Sequence, residues 1–317
     1  MAKADHLHVP AEAREAILVW YGQHGRTLAF RETADPWAIL VSEVIAQQTH
    51  ASRAADRWES FMARFPTVHA LAGASAAEVL RVWQGLGYDR RGLRLHRAAQ
   101  AIATVHGGRV PSSIDALMAL PGIGPYTARA VAAIAFGEPV GAVDVNVRRV
   151  LGRMVAGDPD ASGTAAMQSL ADASVPRGQA AAWTHAVMDL GATVCRPRNP
   201  HCEACPVRAW CRFAAAATTK GDPAEAPPAS ATASRRTVPF PDTNRWLRGR
   251  ILDRLRAAPD RVWVTIEPPI GGHAADRVLA AVTAMAADGL LEVDRDAAGG
   301  LDAFGSLAAP IRARLPA

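Results

Sequence analysis

Residues 120–127 have the sequence Leu-Pro-Gly-Ile-Gly-Pro-Tyr-Thr and lie between two segments whose apolar residues recur at helical spacing. The two glycines permit a tight turn and a close backbone approach. Amide groups at the start of the following helix form a site for an anion. No Lys-Ser or Lys-Thr pair follows, so a nucleoside triphosphate loop is disfavoured. The stretch predicts a hairpin of two helices that binds an anion; an ordinary turn between helices is the alternative.

Apolar residues keep this helical spacing on both sides of the hairpin, with short Gly and Pro interruptions. No strand is predicted before residue 260, so the chain up to about residue 213 is expected to be all-α. The helices are predicted at 11–24, 36–49, 54–65, 76–84, 90–106, 113–119, 125–136, 145–155, 163–173 and 178–192.

The last third of the chain changes in composition. Residues 214–243 are rich in Ala, Pro, Ser and Thr without periodicity, which predicts a linker. Residues 244–317 regain a pattern, with helices at 245–257 and 274–288 and a strand within 262–266. Two strands at 290–294 and 299–304 would form a wing. This predicts a small α+β module resembling a winged helix; an irregular α+β tail is the alternative.

The chain of 317 residues carries a formal net charge of +5, and its only lysines are Lys3 and Lys220. A basic balance favours an anionic partner such as nucleic acid, although a GC-rich genome accounts for much of the Arg excess. No apolar run reaches the about 18 residues of a membrane span, and residues 1–10 lack the apolar core of a signal peptide. We expect a cytoplasmic protein without a membrane partner.

All four cysteines fall within seventeen residues, in the pattern Cys195-x6-Cys202-x2-Cys205-x5-Cys211. Clustered cysteines in a reducing compartment indicate a metal site rather than disulfides. Zinc and a [4Fe–4S] cluster are both possible. The single short gap favours the cluster, since zinc sites usually pair cysteines as two short knuckles. The site would either present the cations of its loop to a phosphate backbone or staple the fold, and the two roles are compatible.

Glu43 is a carboxyl in an unusual place for a helix. Its neighbours one turn away, Ile39, Leu40 and Ala46, belong to the apolar stripe. Burial there would raise the pKa of the carboxyl, which suits a general acid. A solvated helical Glu is the alternative.

Asp144 interrupts the apolar run of residues 140–147, just before a helix that contains Arg148 and Arg149. The simplest interpretation is an N-cap. An acid at a helix N-terminus is stabilised as an anion, so it could also stabilise a cation. One protonated and one ionised carboxyl is the division of labour that breaks glycosidic bonds.

Together these motifs identify a known family. The chain resembles, over about residues 11–213, the MutY adenine DNA glycosylases of the helix-hairpin-helix superfamily, which includes endonuclease III. The matching segments are LVSEVIAQQT (40–49), GLGYDRR (85–91), LPGIGPYT (120–127), VDVNVRRV (143–150) and the cysteine array.

The resemblance implies the helix-hairpin-helix DNA glycosylase fold. A six-helix barrel domain with the hairpin would span 31–135, and an iron–sulfur cluster domain would combine 1–30 with 136–213. The linker 214–243 and the module 244–317 would follow. The implied cofactor is a [4Fe–4S] cluster held by Cys195, Cys202, Cys205 and Cys211.

The resemblance also implies catalytic roles. Glu43 would protonate N7 of a flipped adenine, and Asp144 would stabilise or attack the oxocarbenium ion. Asn146 would hydrogen-bond within this carboxylate network. Tyr126 occupies the place where bifunctional relatives carry a nucleophilic Lys. Because a phenol cannot form a Schiff base, a monofunctional enzyme is expected.

Several residues match positions that hold DNA in the family. Side chains that wedge into the duplex offset part of the cost of base flipping, which is a few kcal/mol. Arg91 is a possible phosphate contact, with a solvated helix face as the alternative. The predicted DNA-binding residues are Arg31, Gln48, Thr49, Leu86, Tyr88, Arg91, Gly122 and Gly124.

The chain departs from the family near the expected base pocket. Residues 29–31 are Ala-Phe-Arg in place of Pro-Trp-Arg, His50 follows the Gln-Gln-Thr run, Val145 replaces a frequent Gly, and His185 replaces Gln or Glu. The C-terminal module also lacks the Nudix-like pattern of many relatives.

The leading hypothesis is a monomeric, nucleoid-associated bacterial enzyme that removes adenine mispaired with 8-oxoguanine or guanine in double-stranded DNA. The second hypothesis is a thymine or uracil mismatch glycosylase of the same superfamily. A third is a non-catalytic iron–sulfur DNA-binding protein, and a fourth is a structural protein stapled by zinc.

Overall fold

The computed structural model describes residues 8–160, 162–219, 238–294 and 310–317. These residues form fourteen α-helices, four 3₁₀ turns and three short strands. None of the helices within these ranges is long and apolar enough to cross a membrane. The helices are α1 (Ala11–His24), α2 (Pro36–Ala46), α3 (Ala51–Arg64), α4 (Val68–Ala72), α5 (Ala76–Val82), α6 (Arg90–Val105), α7 (Ile114–Met118), α8 (Pro125–Phe136), α9 (Val145–Ala156), α10 (Thr164–Ser174), α11 (Ala180–Thr193), α12 (Arg212–Thr219), α13 (Asn244–Ala257) and α14 (Ala275–Ala287).

Side-chain caps fix where many of these helices begin. Ser75 accepts a hydrogen bond from the amide of Glu78, and Ser113 accepts one from Ala116. Each bond satisfies an amide that has no partner inside the helix. Thr67 caps α4 in the same way. Periodicity did not predict this five-residue helix.

The predicted helix 36–49 ends earlier than expected. Its last helical residue is Ala46, because Gln47 leaves the helical region and Gln48 has a left-handed φ of 54°. The Gln-Gln-Thr run therefore forms a loop rather than the last turn of α2. Likewise α12 continues to Thr219, into the segment predicted as a linker.

The chain forms two compact units. The first is built from Met1–Glu59 and Val110–Ser230, and the second from Ser60–Arg109 and Ala231–Ala317. The core of the first unit contains apolar side chains of α1, α9, α10 and α11, for example Ile17, Leu151, Leu170 and Leu190. This unit carries the hairpin and all four cysteines.

The second unit joins the C-terminal residues to two helices from the middle of the chain. Leu80 of α5 and Leu93 of α6 share one core with Ile251 of α13, Val282 of α14 and Ile311. The C-terminal α+β segment therefore shares its apolar core with the segment 76–93.

The strands of the second unit are β1 (Val264–Ile266), β2 (Glu292–Val293) and β3 (Ile311–Arg314). They form an antiparallel sheet in the order β1-β3-β2, with Val264 opposite Ala313 and Glu292 opposite Arg314. The strand predicted at 299–304 lies outside the described residues. The observed partner of β2 is β3, so the sheet closes with the end of the chain.

Candidate functional site

The hairpin turn joins α7 to α8. Gly122 has a φ of 82°, in the left-handed region that side chains disfavour, and Gly124 is the N-cap residue of α8. Pro125 occupies the first turn of the helix, where a missing amide hydrogen has no cost. The turn places Tyr126 and Thr127 at the start of α8. The side-chain amide of Gln47 donates to the hydroxyl of Thr127 over 3.1 Å, which fixes the end of α2 against α8.

Glu43 faces Tyr126 across the contact between α2 and α8. The Tyr126 hydroxyl hydrogen-bonds to the carboxyl. Burial raises the pKa of Glu43 to about 7, and the charge of Asp144 acts in the same direction, whereas Tyr126 and Arg31 oppose the shift. Burial raises the pKa of Tyr126 well above its ordinary value, with contributions from both carboxylates. At neutral pH the site therefore combines a carboxyl that readily holds a proton with a neutral phenol.

Asp144 caps α9, as the sequence predicts. One carboxylate oxygen accepts from the amide of Val147 over 2.7 Å, and the other accepts from the side chain of Asn146 over 2.8 Å. The carboxylate is thereby fixed at the positive end of a helix dipole. Its charge contributes to the pKa shifts of Glu43 and Tyr126, so these three of the four predicted catalytic residues lie within electrostatic range of one another.

Asn146 links this carboxylate to the cysteine-rich loop through Arg149. The buried guanidinium of Arg149 donates to the Asn146 carbonyl oxygen over 2.7 Å. It also donates to the main-chain oxygens of Gly191 and Cys195, both over 2.7 Å. A continuous set of hydrogen bonds thus runs from Asp144 to the first cysteine.

Arg31 belongs to a cluster that the sequence pattern did not reveal. Its guanidinium makes two hydrogen bonds of 2.8 Å to Asp189, which is 0% exposed. Arg26 donates to the same carboxylate from its main chain and side chain. These bonds outweigh burial and lower the pKa of Asp189. The sequence signal was an acid in the otherwise apolar helix segment 186–191, but its partners are distant in the chain, as the separation of 158 residues from Arg31 shows.

His185 lies one turn before Asp189 on α11. Its ring centroid is 6.4 Å from that of Tyr21. Burial lowers the pKa of His185 to about 4, and the charge of Arg31 acts in the same direction. The imidazole is therefore neutral at neutral pH. Also on α11, the sulfur of Met188 lies 3.7 Å from the Tyr126 hydroxyl oxygen, so α11 borders the carboxylate site.

The four cysteine side chains line one cavity, together with Arg153 and Phe213, and none of them forms a disulfide. Arg153 lies 3.5 Å from the Cys195 sulfur and donates to the main-chain oxygens of Arg196 and Pro197. In the described ranges, no three His, Cys, Asp or Glu side chains are placed to hold a single metal ion. Four soft sulfur ligands around a shared cavity fit a polynuclear iron–sulfur cluster.

The predicted DNA-binding residues are divided between the two units. In the first unit Gln48 is exposed and Thr49 partly exposed, in the loop that follows α2. In the second unit Tyr88 is 49% exposed, whereas Leu86 and Arg91 are only 7% and 9% exposed. Arg91 donates to the main-chain oxygens of Leu86 and Gly87. Its guanidinium is thus engaged in the loop rather than displayed on a solvated helix face.

Two family descriptions match this chain. Residues 41–174 match the HhH-GPD superfamily of base excision DNA repair proteins, and residues 195–211 match the iron–sulfur binding domain of endonuclease III. The first range contains Glu43, Tyr126 and Asp144, and the second begins and ends at a cysteine. The predicted superfamily, fold class and [4Fe–4S] cofactor are confirmed.

Individual relatives give the same result. The chain is 45% identical over 246 residues to an adenine DNA glycosylase of Mycobacterium tuberculosis, covering 76% of this chain and 78% of that protein. It is 40% identical over 290 residues to an adenine DNA glycosylase of Mycolicibacterium smegmatis, covering 88% of this chain and 92% of that protein.

Among solved structures, a thermostable thymine-DNA glycosylase superposes with a TM-score of 0.61 at 29% identity, covering 64% of this chain and 95% of that one. The fold, the motifs and the two mycobacterial relatives lead to one assignment. The chain belongs to the HhH-GPD superfamily of base excision DNA repair proteins, in the family of the MutY adenine DNA glycosylases, and its four cysteines form the family's iron–sulfur binding domain.

Proposed function

We propose that this enzyme hydrolyses the bond between adenine and deoxyribose in double-stranded DNA, at adenines mispaired with 8-oxoguanine or guanine. The observation that carries the proposal is the pair of unlike carboxyls. Glu43 has a pKa of about 7, whereas Asp144 is fixed by an amide and by Asn146 at a helix N-terminus. One carboxyl can deliver a proton to the base, and the other can stabilise a cation on the sugar.

Glu43 is the proposed general acid. A general acid works best when its pKa is close to the working pH, and burial brings the pKa of Glu43 to about 7. Its proton would pass to N7 of the extruded adenine, which makes the base a better leaving group. The Tyr126 hydroxyl orients the carboxyl by its hydrogen bond.

Asp144 is the proposed stabiliser of the positive charge that develops on the deoxyribose as the base leaves. A fixed anion needs no reorganisation at the moment of reaction, which is the main advantage of preorganised electrostatics. Asn146 and the Val147 amide hold both carboxylate oxygens in place. Asn146 is in turn held by Arg149, so we propose that it is a positioning residue for Asp144.

The enzyme is proposed to be monofunctional. Tyr126 takes the position of the nucleophilic Lys of bifunctional relatives and has no amine for a Schiff base. Burial raises the pKa of its phenol well above the ordinary value, which also disfavours a phenolate nucleophile. Base removal should therefore leave an abasic site and an intact strand.

For DNA contacts, we propose that Gln48, Thr49 and Tyr88 enter the duplex and that the amides at Gly122 and Gly124 bind a backbone phosphate. Arg31 would border the base pocket. Because Leu86 and Arg91 are buried, we propose that they shape the Tyr88 loop and touch DNA little, if at all.

The cluster, when bound, cross-links the four cysteine thiolates and so fixes residues 195–211. Arg149 and Arg153 hold the start of that loop. A cluster domain made of 1–30 and 136–213, a barrel domain of 31–135 and a monomeric state remain part of the proposal.

A thymine or uracil mismatch glycosylase is the second candidate. It is favoured by the similarity to a solved thymine-DNA glycosylase and by the neutral imidazole of His185 beside the predicted base pocket. A neutral His offers one donor and one acceptor, which does not by itself select a purine.

A cleavage panel distinguishes these functions. The purified protein is incubated with duplexes that contain adenine:8-oxoguanine, adenine:guanine, thymine:guanine or uracil:guanine, and strand breaks are scored with and without alkali. We expect breaks at both adenine mispairs, and only after alkali. Breaks at thymine:guanine or uracil:guanine alone would contradict adenine specificity, and breaks without alkali would contradict a monofunctional mechanism. No break on any duplex would support a non-catalytic DNA-binding protein.

A further inference from the structure

Tyr88 stands out among the surface residues of the second unit. It is a large aromatic side chain at 49% exposure and has a φ of 49°, in the left-handed region that is unfavourable for a bulky residue. Gly85 and Gly87, just before it, also have positive φ values of 86° and 68°. A strained and exposed aromatic persists only where its surroundings hold it, and such rings are platforms on which nucleobases stack.

Two buried side chains hold this loop from beneath. The indole of Trp83 donates to the main-chain oxygen of Gly87 over 3.1 Å. Arg91 donates to the same oxygen, and its guanidinium lies 5.6 Å from the centre of the Tyr88 ring. These contacts fix the backbone of the loop and cover one part of the ring.

Helix α13, in the C-terminal segment, supplies a second cation to the ring. The guanidinium carbon of Arg245 lies 4.9 Å from the centre of the Tyr88 ring, closer than that of Arg91. Arg245 is in the first turn of α13 and is exposed. A guanidinium that stacks by its face keeps its N–H edge for a phosphate.

The two residues after Tyr88 also contact the C-terminal segment. Arg256 of α13 forms an ion pair and hydrogen bond with Asp89. Arg90 pairs with Asp288, at the end of α14, over 3.1 Å. Three consecutive residues, 88–90, are thus each in contact with a residue C-terminal to position 240. None of these partners lies within residues 41–174 or 195–211, which match the superfamily and iron–sulfur descriptions.

We propose that Arg245 is a positioning residue for Tyr88 and a cation of the DNA-binding surface, so that the C-terminal segment takes part in DNA recognition. The guanidinium over the ring would hold it in place for a nucleobase and bring a positive charge to the adjacent phosphate. This inference rests on the proposed function, because it takes Tyr88 to be a residue that enters the duplex.

The test is a binding series on the full chain. Its probe is a fluorescent duplex in which a non-hydrolysable 2′-fluoro-deoxyadenosine is opposite 8-oxoguanine. Binding is measured by fluorescence anisotropy at several salt concentrations. Arg245→Ala is expected to raise the Kd about tenfold, because one phosphate contact and one cation–π contact are lost. The slope of log Kd against log salt concentration should fall by about one, as expected for one phosphate contact. Arg245→Gln keeps most of the side-chain volume and should have the same effect on binding. It replaces the Ala variant in the series if thermal unfolding shows the Ala variant to be unstable.

Arg254→Ala is the matched control. Arg254 lies on the same helix, is exposed, and carries the same charge. Nine residues at about 100° per residue place it on the opposite face from Arg245. We expect its Kd to stay within about twofold of the wild-type value. If both variants weaken DNA binding equally, the effect is one of net charge and the proposal is wrong. The proposal is also wrong if Arg245→Ala does not weaken DNA binding.

A double-mutant cycle isolates the positioning role. Tyr88→Asn removes the ring, and Asn tolerates the left-handed backbone. If Arg245 acts through the ring, Arg245→Ala raises the Kd by a smaller factor in the Tyr88→Asn background than in the wild type, because only its phosphate contact is left to lose. If the two effects multiply, the positioning role is wrong. A wild-type protein that binds the duplex but excises no adenine would refute the proposed function, while this binding series would still decide the role of Arg245.

Discussion

Two acids in the same unit, the partly buried Glu43 and the fully buried Asp189, experience opposite electrostatic surroundings. Glu43, between α2 and α8, is hydrogen-bonded by a neutral phenol, and burial raises its pKa to about 7. Asp189, on α11, is held by Arg26 and Arg31, and its pKa is lowered in spite of complete burial. Burial alone therefore does not decide the charge of an acid. The surrounding donors and charges decide it: two guanidinium groups outweigh the desolvation of Asp189, whereas the phenol of Tyr126 and the charge of Arg31 do not outweigh that of Glu43.

The largest effect should follow from removing the proton of Glu43. Glu43→Gln keeps the shape of the side chain but cannot act as an acid, so the single-turnover rate of adenine excision should fall about 10²- to 10⁴-fold. The Kd for the 2′-fluoro duplex should stay within a few fold. A variant that retains a tenth or more of the wild-type rate would show that Glu43 is not the acid.

Removal of Asp189 should affect stability first. Asp189→Ala leaves the buried guanidinium of Arg31 without its counterion, and we expect a loss of about 3–5 kcal/mol in the free energy of unfolding, measured in urea. Asp260→Ala is the control, because Asp260 is 68% exposed in its pair with Arg81 and should cost less than about 1 kcal/mol. Similar losses of unfolding free energy for the two variants would mean that the buried ion pair of Asp189 and Arg31 stabilises the fold no more than an exposed ion pair does.

The pH dependence of excision should report the raised pKa of Glu43. A folded-state pKa of about 7, above the ordinary 4.5, means that the proton is held through the window between those values and is lost as the pH rises through 7. Single-turnover rates should be highest below pH 7 and fall about tenfold per pH unit well above it. The residual rate of Glu43→Gln should not show this fall above pH 7, the descending limb of the pH profile. A wild-type rate that rises with pH through this range would contradict the role of Glu43 as the general acid.

Tyr126→Phe should give the smallest effect. The Tyr126 hydroxyl lowers the pKa of Glu43 by its hydrogen bond, in opposition to burial. Without it the descending limb should move to higher pH, by less than about one unit, since a hydrogen bond contributes about 1 kcal/mol. A shift to lower pH would mean that the phenol stabilises the protonated carboxyl instead.

Local sequence patterns were enough to predict most helices and the surroundings of the two proposed catalytic carboxyls. The apolar neighbours of Glu43 and the cap at Asp144 are short-range features, and both expectations about their surroundings are met by the structure. The pairing of Asp189 with Arg26 and Arg31 could not be predicted in this way, since neither arginine is a sequence neighbour of the acid. Periodicity says which face of a helix is buried, but it does not say which distant side chain lies opposite.

The same limit applies to the C-terminal segment. Its helices were predicted from periodicity, but nothing in that pattern indicated that Leu80 and Leu93 would complete their core. The pairing of β2 with β3 was not predicted either, because an antiparallel partner can come from any later part of the chain.

The core that α5 and α6 share with α13 and α14 has a practical consequence for truncating the protein. A protein ended after Thr219 would retain both family-matched segments, yet it would expose Leu80 and Leu93 to water. Each uncovered leucine forfeits about 1.5–3 kcal/mol, comparable with a sizeable part of the roughly 5–15 kcal/mol that keeps a typical domain folded. Such a shortened enzyme should aggregate or lose structure in the segment that carries Tyr88, even though every proposed catalytic residue is still encoded.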